Sequence, residues 1–220
     1  MDVKDSDAAR LWCKAMDVVL KKGFEYKDNE GRICKEILNL NVTLENPGSS
    51  GVESPITMIN ESRKWVYPSK EELVNIIFKE VQAPVYDYTY GGRIFNFAEE
   101  FDQLNDYIIP LLKKDLQSRR ATLVIYDPVS DSKISNRNTP GIIYIQFRVR
   151  QGKLLMTAAI RSNDLFFGWP ANIFQLYSLQ KFVADNLGKS VGDISVFANS
   201  AHLFQDNFKH AEEFIGKVLE

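Results

Sequence analysis

The amino-acid sequence predicts a mixed α+β fold in which helices pack on a large mixed sheet. Apolar residues recur at three- and four-residue spacing in several stretches, which is typical of helices, while other stretches alternate or run continuously apolar, which is typical of strands. The two kinds of stretch are interspersed along the chain, and no internal repeat is present. The length of 220 residues fits a single domain, which we expect to span residues 1–220.

The first half of the chain is predicted to contain an N-terminal helix, a strand and a capped helix. Residues 7–22 place apolar side chains on one helical face. The stretch 37–44 alternates Ile and Leu with Asn and Thr, which indicates a half-buried strand. The turn-forming residues of 45–55 predict a loop. Ser69, with Glu72 three residues later, has the pattern of a capping box that starts a helix.

The second half of the chain is predicted to supply several strands and the longest helix. Residues 101–116 have a helical pattern that Pro110 kinks or breaks. Two long apolar stretches meet at Gln151-Gly152, which is the pattern of a hairpin turn. A mostly apolar helix is predicted over 172–188, and a last helix over 207–220 closes the chain. Further strands are predicted at 121–128 and 195–204.

Composition and charge argue against several classes of partner. Lys and Arg number 27 and Asp and Glu 29, so the formal net charge is -2 and gives no general attraction to nucleic acids or membranes. Two cysteines are too few for a disulfide framework. The polar N-terminus does not resemble a secretory signal, and no apolar stretch approaches the ~20 residues of a membrane span. We therefore expect a cytoplasmic globular protein with reduced thiols.

Most motifs that identify a reaction are missing, but two arginine-containing segments suit a phosphate. His202 and His210 are the only histidines, and neither has a Cys or carboxylate at metal-ligand spacing, so no metal site is predicted. Glycine-rich phosphate loops and GxSxG elbows are absent. The segments 118–120 (SRR) and 161–164 (RSND) combine a serine with guanidinium groups, which donate paired hydrogen bonds to phosphate oxygens. Surface ion pairing is the alternative for both segments.

Several spaced motifs resemble those of one enzyme family. Tyr90-Gly91 resembles the family's Tyr-Gly pair, and residues 102–125 resemble its DQ…L…D-x-SRR segment. Downstream, four motifs follow in matching order and spacing: Arg161-Ser162-Asn163-Asp164, Gly168-Trp169-Pro170-Ala171-Asn172, Gly192-Asp193 and His202-Leu203-Phe204. Together the motifs cover most of residues 87–207. The chain therefore resembles the thymidylate synthases and the related pyrimidine-nucleotide hydroxymethylases, in a compact, archaeal-like form.

The resemblance implies how a nucleotide and a second subunit would meet the chain. Arg161 and Ser162 would bind the 5′-phosphate of a pyrimidine nucleoside monophosphate. Arg119 and Arg120 would reach the phosphate bound by a neighbouring subunit, which implies a homodimer with a sheet face as its interface. Arg32, in a predicted turn, is a candidate for the family's mobile phosphate-binding arginine.

The resemblance also implies which residues read the base, the sugar and the cofactor. Asn172 would read the base, because its amide has an acceptor for N3–H and a donor for O4 of uracil, whereas a carboxylate would favour cytosine. His202 would meet the sugar 3′-hydroxyl, while Phe204 replaces a tyrosine of the family and removes one sugar hydrogen bond. Asp164 and Tyr90 would lie on the cofactor side, with Asp164 bonded to the pterin of a folate. The implied cofactor is methylenetetrahydrofolate.

The sequence departs from the family pattern at the nucleophile. The family's Pro-Cys-His element corresponds here to residues 140–142, so Gly141 replaces the cysteine that adds to C6 of the pyrimidine. Glycine cannot form this covalent bond. Cys34 is a candidate replacement, and a merely packed cysteine is the alternative. Glu61 and Glu72 are candidates for the family's acid/base glutamate, with solvated carboxylates as the alternative.

Two functions follow from these observations, and the residues leave both open. One is an enzyme of pyrimidine nucleotide metabolism that acts at or near C5 of a nucleotide, with uracil favoured, but without the cysteine nucleophile. Such an enzyme would be a methyl or hydroxymethyl transferase, or would catalyse a diverged reaction on the same nucleotide. The other is a catalytically inactive homologue that binds the nucleotide as a sensor or as a partner subunit.

Overall fold

The computed structural model describes residues 1–79, 89–136 and 138–220, and it shows a large mixed sheet packed with helices. The predicted α+β class is therefore confirmed. The strands are β1 (Asp2–Asp5), β2 (Phe24–Lys27), β3 (Ile33–Leu44), β4 (Thr122–Val124), β5 (Ile142–Arg150), β6 (Lys153–Ile160), β7 (Asn163–Asp164) and β8 (Ser190–Phe204). The α-helices are α1 (Ala8–Lys22), α2 (Ser54–Glu61), α3 (Lys70–Phe78), α4 (Tyr90–Phe95), α5 (Ile109–Lys114), α6 (Pro128–Asp131), α7 (Gly168–Leu187) and α8 (Phe208–Leu219).

The chain divides into two compact units, each built from several segments. The first unit comprises residues 1–67, 160–174 and 193–220, and the second comprises 68–159 and 175–192. Because both units take non-contiguous pieces of chain, the division does not separate an N-terminal from a C-terminal domain. The single domain over residues 1–220 stays a prediction.

Strands β3 and β8 form the backbone of the first unit. They pair in antiparallel register, and Glu36 lies opposite His202. Strand β1 pairs in parallel with β3, and β2 folds back on the N-terminal part of β3. Strand β7 is parallel to β8 and places Asp164 opposite His202. Since residues directly opposite each other lie on the same face of a sheet, this pairing aligns the side chains of Glu36, His202 and Asp164.

Helix α1 holds the segment that follows β7 in place. Its N-terminus is capped by Asp7, whose side chain accepts a hydrogen bond from a backbone N–H of the first turn. Trp12 is fully buried, and its indole N–H donates to the carbonyl of Leu165 at 2.6 Å. The Trp12 ring also lies 6.0 Å from the Phe166 ring and 5.2 Å from the Phe214 ring of α8. The predicted helix 7–22 is confirmed, and its apolar face anchors residues next to β7.

The second unit contains the β4–β5–β6 part of the sheet and the capped helix α3. Strands β5 and β6 meet at Gln151 and Gly152, both with positive φ (50° and 77°), as a two-residue hairpin turn requires. Ser69 and Glu72 form the predicted capping box: the Ser69 hydroxyl accepts from the Glu72 N–H at 3.2 Å, and the Glu72 carboxylate accepts from the Ser69 N–H at 2.7 Å.

Several boundaries differ from the prediction for local reasons. Residues 101–116 form a π-helical segment (Gln103–Ile108) followed by α5, and Pro110 lies in the first turn of α5, where its missing N–H is not needed. The strand predicted over 121–128 contains only β4, because Asp127 caps α6. Of the helices described over 1–79, 89–136 and 138–220, none has the length and apolar character needed to cross a bilayer.

Gly91 permits a close backbone approach in the second unit, and its substitution should destabilise the fold. A Cβ at this position would lie 2.2 Å from the carbonyl oxygen and 2.5 Å from the backbone nitrogen of Lys79. We expect Gly91→Ala to lower the free energy of unfolding by about 1–3 kcal/mol, measured by urea denaturation. Gly216→Ala in α8 is the control, because its nearest neighbour would be 3.8 Å away and alanine favours helices. An unchanged midpoint for Gly91→Ala would contradict the expected clash.

Candidate functional site

A row of titratable side chains crosses three strands of the first unit. His202 of β8 has a carboxylate on each side, Glu36 on β3 and Asp164 on β7. Ser200 precedes His202 by two residues on β8; its hydroxyl donates to a Glu36 carboxylate oxygen and lies 3.4 Å from His202 Nδ1. The site therefore contains a hydrogen-bonded polar chain as well as the two residues that the sequence analysis selected, Asp164 and His202.

Burial shifts the pKa of both Asp164 and His202 toward the uncharged form. It raises the pKa of the Asp164 carboxyl, although the backbone N–H of Phe166, which donates to Asp164 Oδ1 at 2.8 Å, acts in the opposite direction. Burial lowers the pKa of His202, while Asp164, a hydrogen bond with the backbone of Ser200, and Glu36 partly compensate. His202 is therefore predominantly neutral at physiological pH.

Two asparagine side chains meet beside this row. Asn163 Nδ2 donates to Asn172 Oδ1 at 3.1 Å, and Asn163 is only 2% exposed. Gly168 opens α7 here, and a Cβ on it would lie 3.5 Å from Asp164 Cβ and 3.9 Å from Asn172 Oδ1. Asp164 and Asn172 are among the residues predicted from the motifs, whereas the contact of Asn163 with Asn172 was not predicted.

The segment around Arg161 is joined to β8 through its backbone. The Arg161 carbonyl accepts from the Ser200 N–H at 3.2 Å, so the bend that carries Arg161 and Ser162 lies next to the polar chain. Both of these residues are exposed. The structure thus brings together the predicted phosphate-binding pair, Asp164 and His202 within the first unit.

Arg32 lies near the end of β8 but is already paired. Its guanidinium is 2.8 Å from the Asp28 carboxylate and 3.3 Å from the Glu30 carboxylate. It also lies 4.2 Å from the centre of the Phe204 ring, a cation–π contact with the residue that replaces the family's tyrosine. The Arg32 side chain itself is half exposed, so an anion could still compete for the guanidinium.

The other predicted site residues belong to the second unit. Arg119 and Arg120 are exposed between α5 and β4, and neither guanidinium has a hydrogen bond or an ion pair within the described ranges. Tyr90 is the first residue of α4. Gly141 stands immediately before β5, so the position assigned to the nucleophile is the start of a strand.

The two glutamates proposed as acid/base groups have different surroundings. Glu72 is used by the capping box of α3, where it is bonded to Ser69. Glu61 is the last residue of α2 and is exposed. Their acid/base roles stay predictions. Glu36 was not among the predicted site residues, because the predicted strand (37–44) begins one residue after it. Only the pairing of β3 with β8 places Glu36 at the site.

Neither cysteine thiol is poised as a nucleophile. Burial raises the pKa of Cys13, which lies in the core face of α1, to about 12. Burial also raises the pKa of Cys34, which lies opposite Phe204 in the strand pairing. Within residues 1–79, 89–136 and 138–220, no three His, Cys, Asp or Glu side chains form a group suited to a metal ion.

Comparison with known proteins shows the family to which the chain belongs. A family model described as "Thymidylate synthase" matches residues 70–219, and the chain belongs to this family. A protein of Methanothermobacter marburgensis named "Putative thymidylate synthase" is 34% identical over 223 residues, which are 97% of this chain and 97% of the relative. Proteins with the same name from Methanosarcina acetivorans (29% over 213 residues, 97% and 94% of the two chains) and Methanothermobacter thermautotrophicus (33% over 222 residues, 97% of each) are also similar. The predicted family and compact form are confirmed.

The raised pKa of Asp164 implies that its charge destabilises the folded state above that pKa. We therefore expect Asp164→Asn to raise the melting temperature at pH 7.5, by about 2–4 °C for each kcal/mol of relieved penalty. An Asn oxygen can still accept from the Phe166 N–H. The gain should shrink as the pH falls toward the raised pKa of the native carboxyl, and thermal unfolding followed by circular dichroism at several pH values measures it.

The exposed residue Asp206 supplies the control for this experiment, because Asp206→Asn should change the melting temperature little at any of these pH values. A melting temperature of Asp164→Asn that falls at pH 7.5, or a gain that is independent of pH, would contradict the proposed burial penalty.

Proposed function

We propose that the protein binds a pyrimidine nucleoside monophosphate at the Arg161–Asn172–His202 site and acts at or near C5 of its base, with uracil favoured. The observation that supports this proposal is the meeting of these residues in the first unit. The Arg161 carbonyl is bonded to Ser200 of β8, and Asp164 of the same segment lies opposite His202. Groups suited to a phosphate, a sugar and a base therefore follow one another along neighbouring strands and α7.

The orientation of the Asn172 amide favours uracil. Its Oδ1 accepts one hydrogen bond, from Asn163 Nδ2, and retains a second lone pair that can accept from N3–H of uracil. Its Nδ2 can donate to O4. Cytosine presents an acceptor at N3 and a donor at N4, so it would require the opposite orientation of the amide. An Asn172 amide in this orientation therefore supports a uracil nucleotide.

The exposed arginines of the second unit support a homodimer. Arg119 and Arg120 have no guanidinium partner within the described ranges, although each donor group could serve a phosphate. We propose that they reach the phosphate bound by a second copy of this chain, next to that copy's Arg161 and Ser162. A two-fold symmetric dimer would give both sites the same composition.

Asp164 fits a folate cofactor. One of its carboxylate oxygens is held by the Phe166 N–H, and the carboxyl can accept further hydrogen bonds from the N–H groups of a pterin. Methylenetetrahydrofolate, when bound, would supply a one-carbon unit for transfer to C5. In this arrangement the chain's own residues bind and orient: Arg161 and Ser162 hold the phosphate, Asn172 holds the base and His202 holds the sugar.

The second candidate function is a catalytically inactive nucleotide-binding homologue, a sensor or a partner subunit. Gly141 favours it, because glycine cannot form the covalent adduct at C6, and the raised thiol pKa values of Cys13 and Cys34 offer no ready substitute. Incubation with dUMP, UMP, dCMP and CMP, with and without methylenetetrahydrofolate, followed by mass spectrometry decides between the two. A nucleotide of new mass supports the enzyme, and binding without any product supports the inactive homologue.

Calorimetric titration tests the assignment of the binding residues. We expect dUMP to bind more tightly than dCMP, and Arg161→Ala to weaken dUMP binding by about 10–100-fold because a charged hydrogen bond contributes about 1.5–3 kcal/mol. Asn172→Asp should shift the preference toward dCMP. Arg10→Ala is the control, because this exposed arginine of α1 pairs with Asp5. If the unmodified protein binds none of the four nucleotides, the proposed function is wrong.

Mixed dimers test whether each site takes arginines from the partner. Arg161→Ala and the double variant Arg119→Ala/Arg120→Ala should each bind dUMP weakly. After the two are mixed and allowed to exchange subunits, one site of each hybrid dimer is unmodified, so about a quarter of all sites should regain the original affinity. Calorimetry before and after exchange measures this recovery. No recovery, with exchange verified by mass spectrometry, would contradict sharing of the site between subunits.

A further inference from the structure

We propose that Glu36 is a positioning residue which, through Ser200, fixes the protonated nitrogen of His202 and so makes His202 Nε2 a hydrogen-bond acceptor toward the ligand. No role for Glu36 follows from the motifs of the family, and the strand pairing alone places it here. The identity of the ligand group that binds Nε2, a sugar hydroxyl, rests on the proposed function. The tautomer of the imidazole does not, because it is a property of the protein without ligand.

The single proton of the Ser200 hydroxyl determines which groups donate and which accept between Glu36 and His202. An ionised carboxylate can only accept hydrogen bonds, so Ser200 Oγ donates its proton to Glu36. The same oxygen lies 3.4 Å from His202 Nδ1, and toward this nitrogen it can only accept. Nδ1 must therefore carry the proton of the neutral imidazole.

The consequence lies at the other ring nitrogen. A neutral imidazole protonated at Nδ1 has a lone pair at Nε2, which accepts a hydrogen bond and does not donate one. Over the described ranges Nε2 has no hydrogen-bond partner within the protein. The ligand group that fits this nitrogen is a hydroxyl donor, such as a free 3′-hydroxyl, and a sugar lacking this hydroxyl leaves Nε2 unpaired.

The charged groups around His202 agree with a neutral ring. Glu36 on β3 and Asp164 on β7 both raise its pKa, whereas burial and Arg32, from the turn before β3, lower it. Burial is the largest of these effects, so the pKa lies below its ordinary value. The ring is therefore uncharged at pH 8, where the two neutral tautomers can be distinguished.

The chain is well suited to a direct test because it contains two histidines. In long-range ¹H–¹⁵N correlation spectra of the ¹⁵N-labelled full chain at pH 8, each ring shows which nitrogen is protonated, and His210→Asn assigns the remaining signals to His202. We expect the Nδ1–H tautomer in the unmodified protein. Glu36→Val and Ser200→Ala should shift His202 toward the Nε2–H tautomer, because each removes one of the two side chains that hold the proton on Nδ1.

Two further variants separate positioning from general damage to the strand. Glu36→Gln retains an acceptor for the Ser200 hydroxyl and should preserve the Nδ1–H tautomer. Glu25→Val makes the same change as Glu36→Val on the exposed neighbouring strand β2 and should also preserve it. An Nε2–H tautomer in the unmodified protein, or an unchanged tautomer in a Glu36→Val protein with native circular dichroism, would overturn the proposal.

A second measurement connects the tautomer with the ligand. We expect the unmodified protein to bind dUMP about three- to tenfold more tightly than its 3′-deoxy analogue, because one hydrogen bond is lost with the hydroxyl. In Glu36→Val the two affinities should become nearly equal. If neither nucleotide binds, the proposed function fails, while the NMR result still decides the role of Glu36. If both bind and Glu36→Val leaves the ratio unchanged, the link to the sugar is wrong.

Discussion

The antiparallel register of β3 and β8 is the constraint on which the site depends. It is fixed away from the site, where the buried residues Leu40, Val42 and Leu44 of β3 lie opposite Ala198, Val196 and Ile194 of β8. A slip by one residue would turn these side chains toward the opposite face of the sheet and remove them from the core that they fill. The same register places Glu36 opposite His202. The apolar part of the strand pair therefore fixes the alignment of Glu36 with His202 in the polar part.

Local patterns made most of the elements predictable, whereas the site depends on contacts between distant residues. The N-terminal helix, the capping box at Ser69 and the hairpin at Gln151 each arise from neighbouring residues, and each is confirmed. Family motifs indicated Asp164 and His202, but composition and spacing alone could not. The bond between Ser200 and Glu36 joins residues 164 positions apart, and no local pattern predicts which strands pair.

The polar groups of the site lower the stability of the fold, which is typical of residues that bind a ligand. Burial disfavours the charged forms of both Asp164 and His202, and the buried Asn163 Oδ1 has no partner among the residues that the structure describes. An unsatisfied buried polar atom costs about 1–3 kcal/mol, so an apolar side chain would stabilise the fold more. Such costs concentrate where a ligand compensates for them.

Charge balance explains why phosphate binding would require arginines from more than one segment. The chain as a whole carries a net charge of -2, so it provides no long-range attraction for a nucleotide. Near His202, the carboxylate of Glu36 adds to the repulsion of a phosphate dianion. This carboxylate would offset the charge of Arg161, and Arg32 is paired with Asp28 and Glu30. The exposed Arg119 and Arg120 of a second copy would supply the missing positive charge, and the site would then be complete only in the dimer.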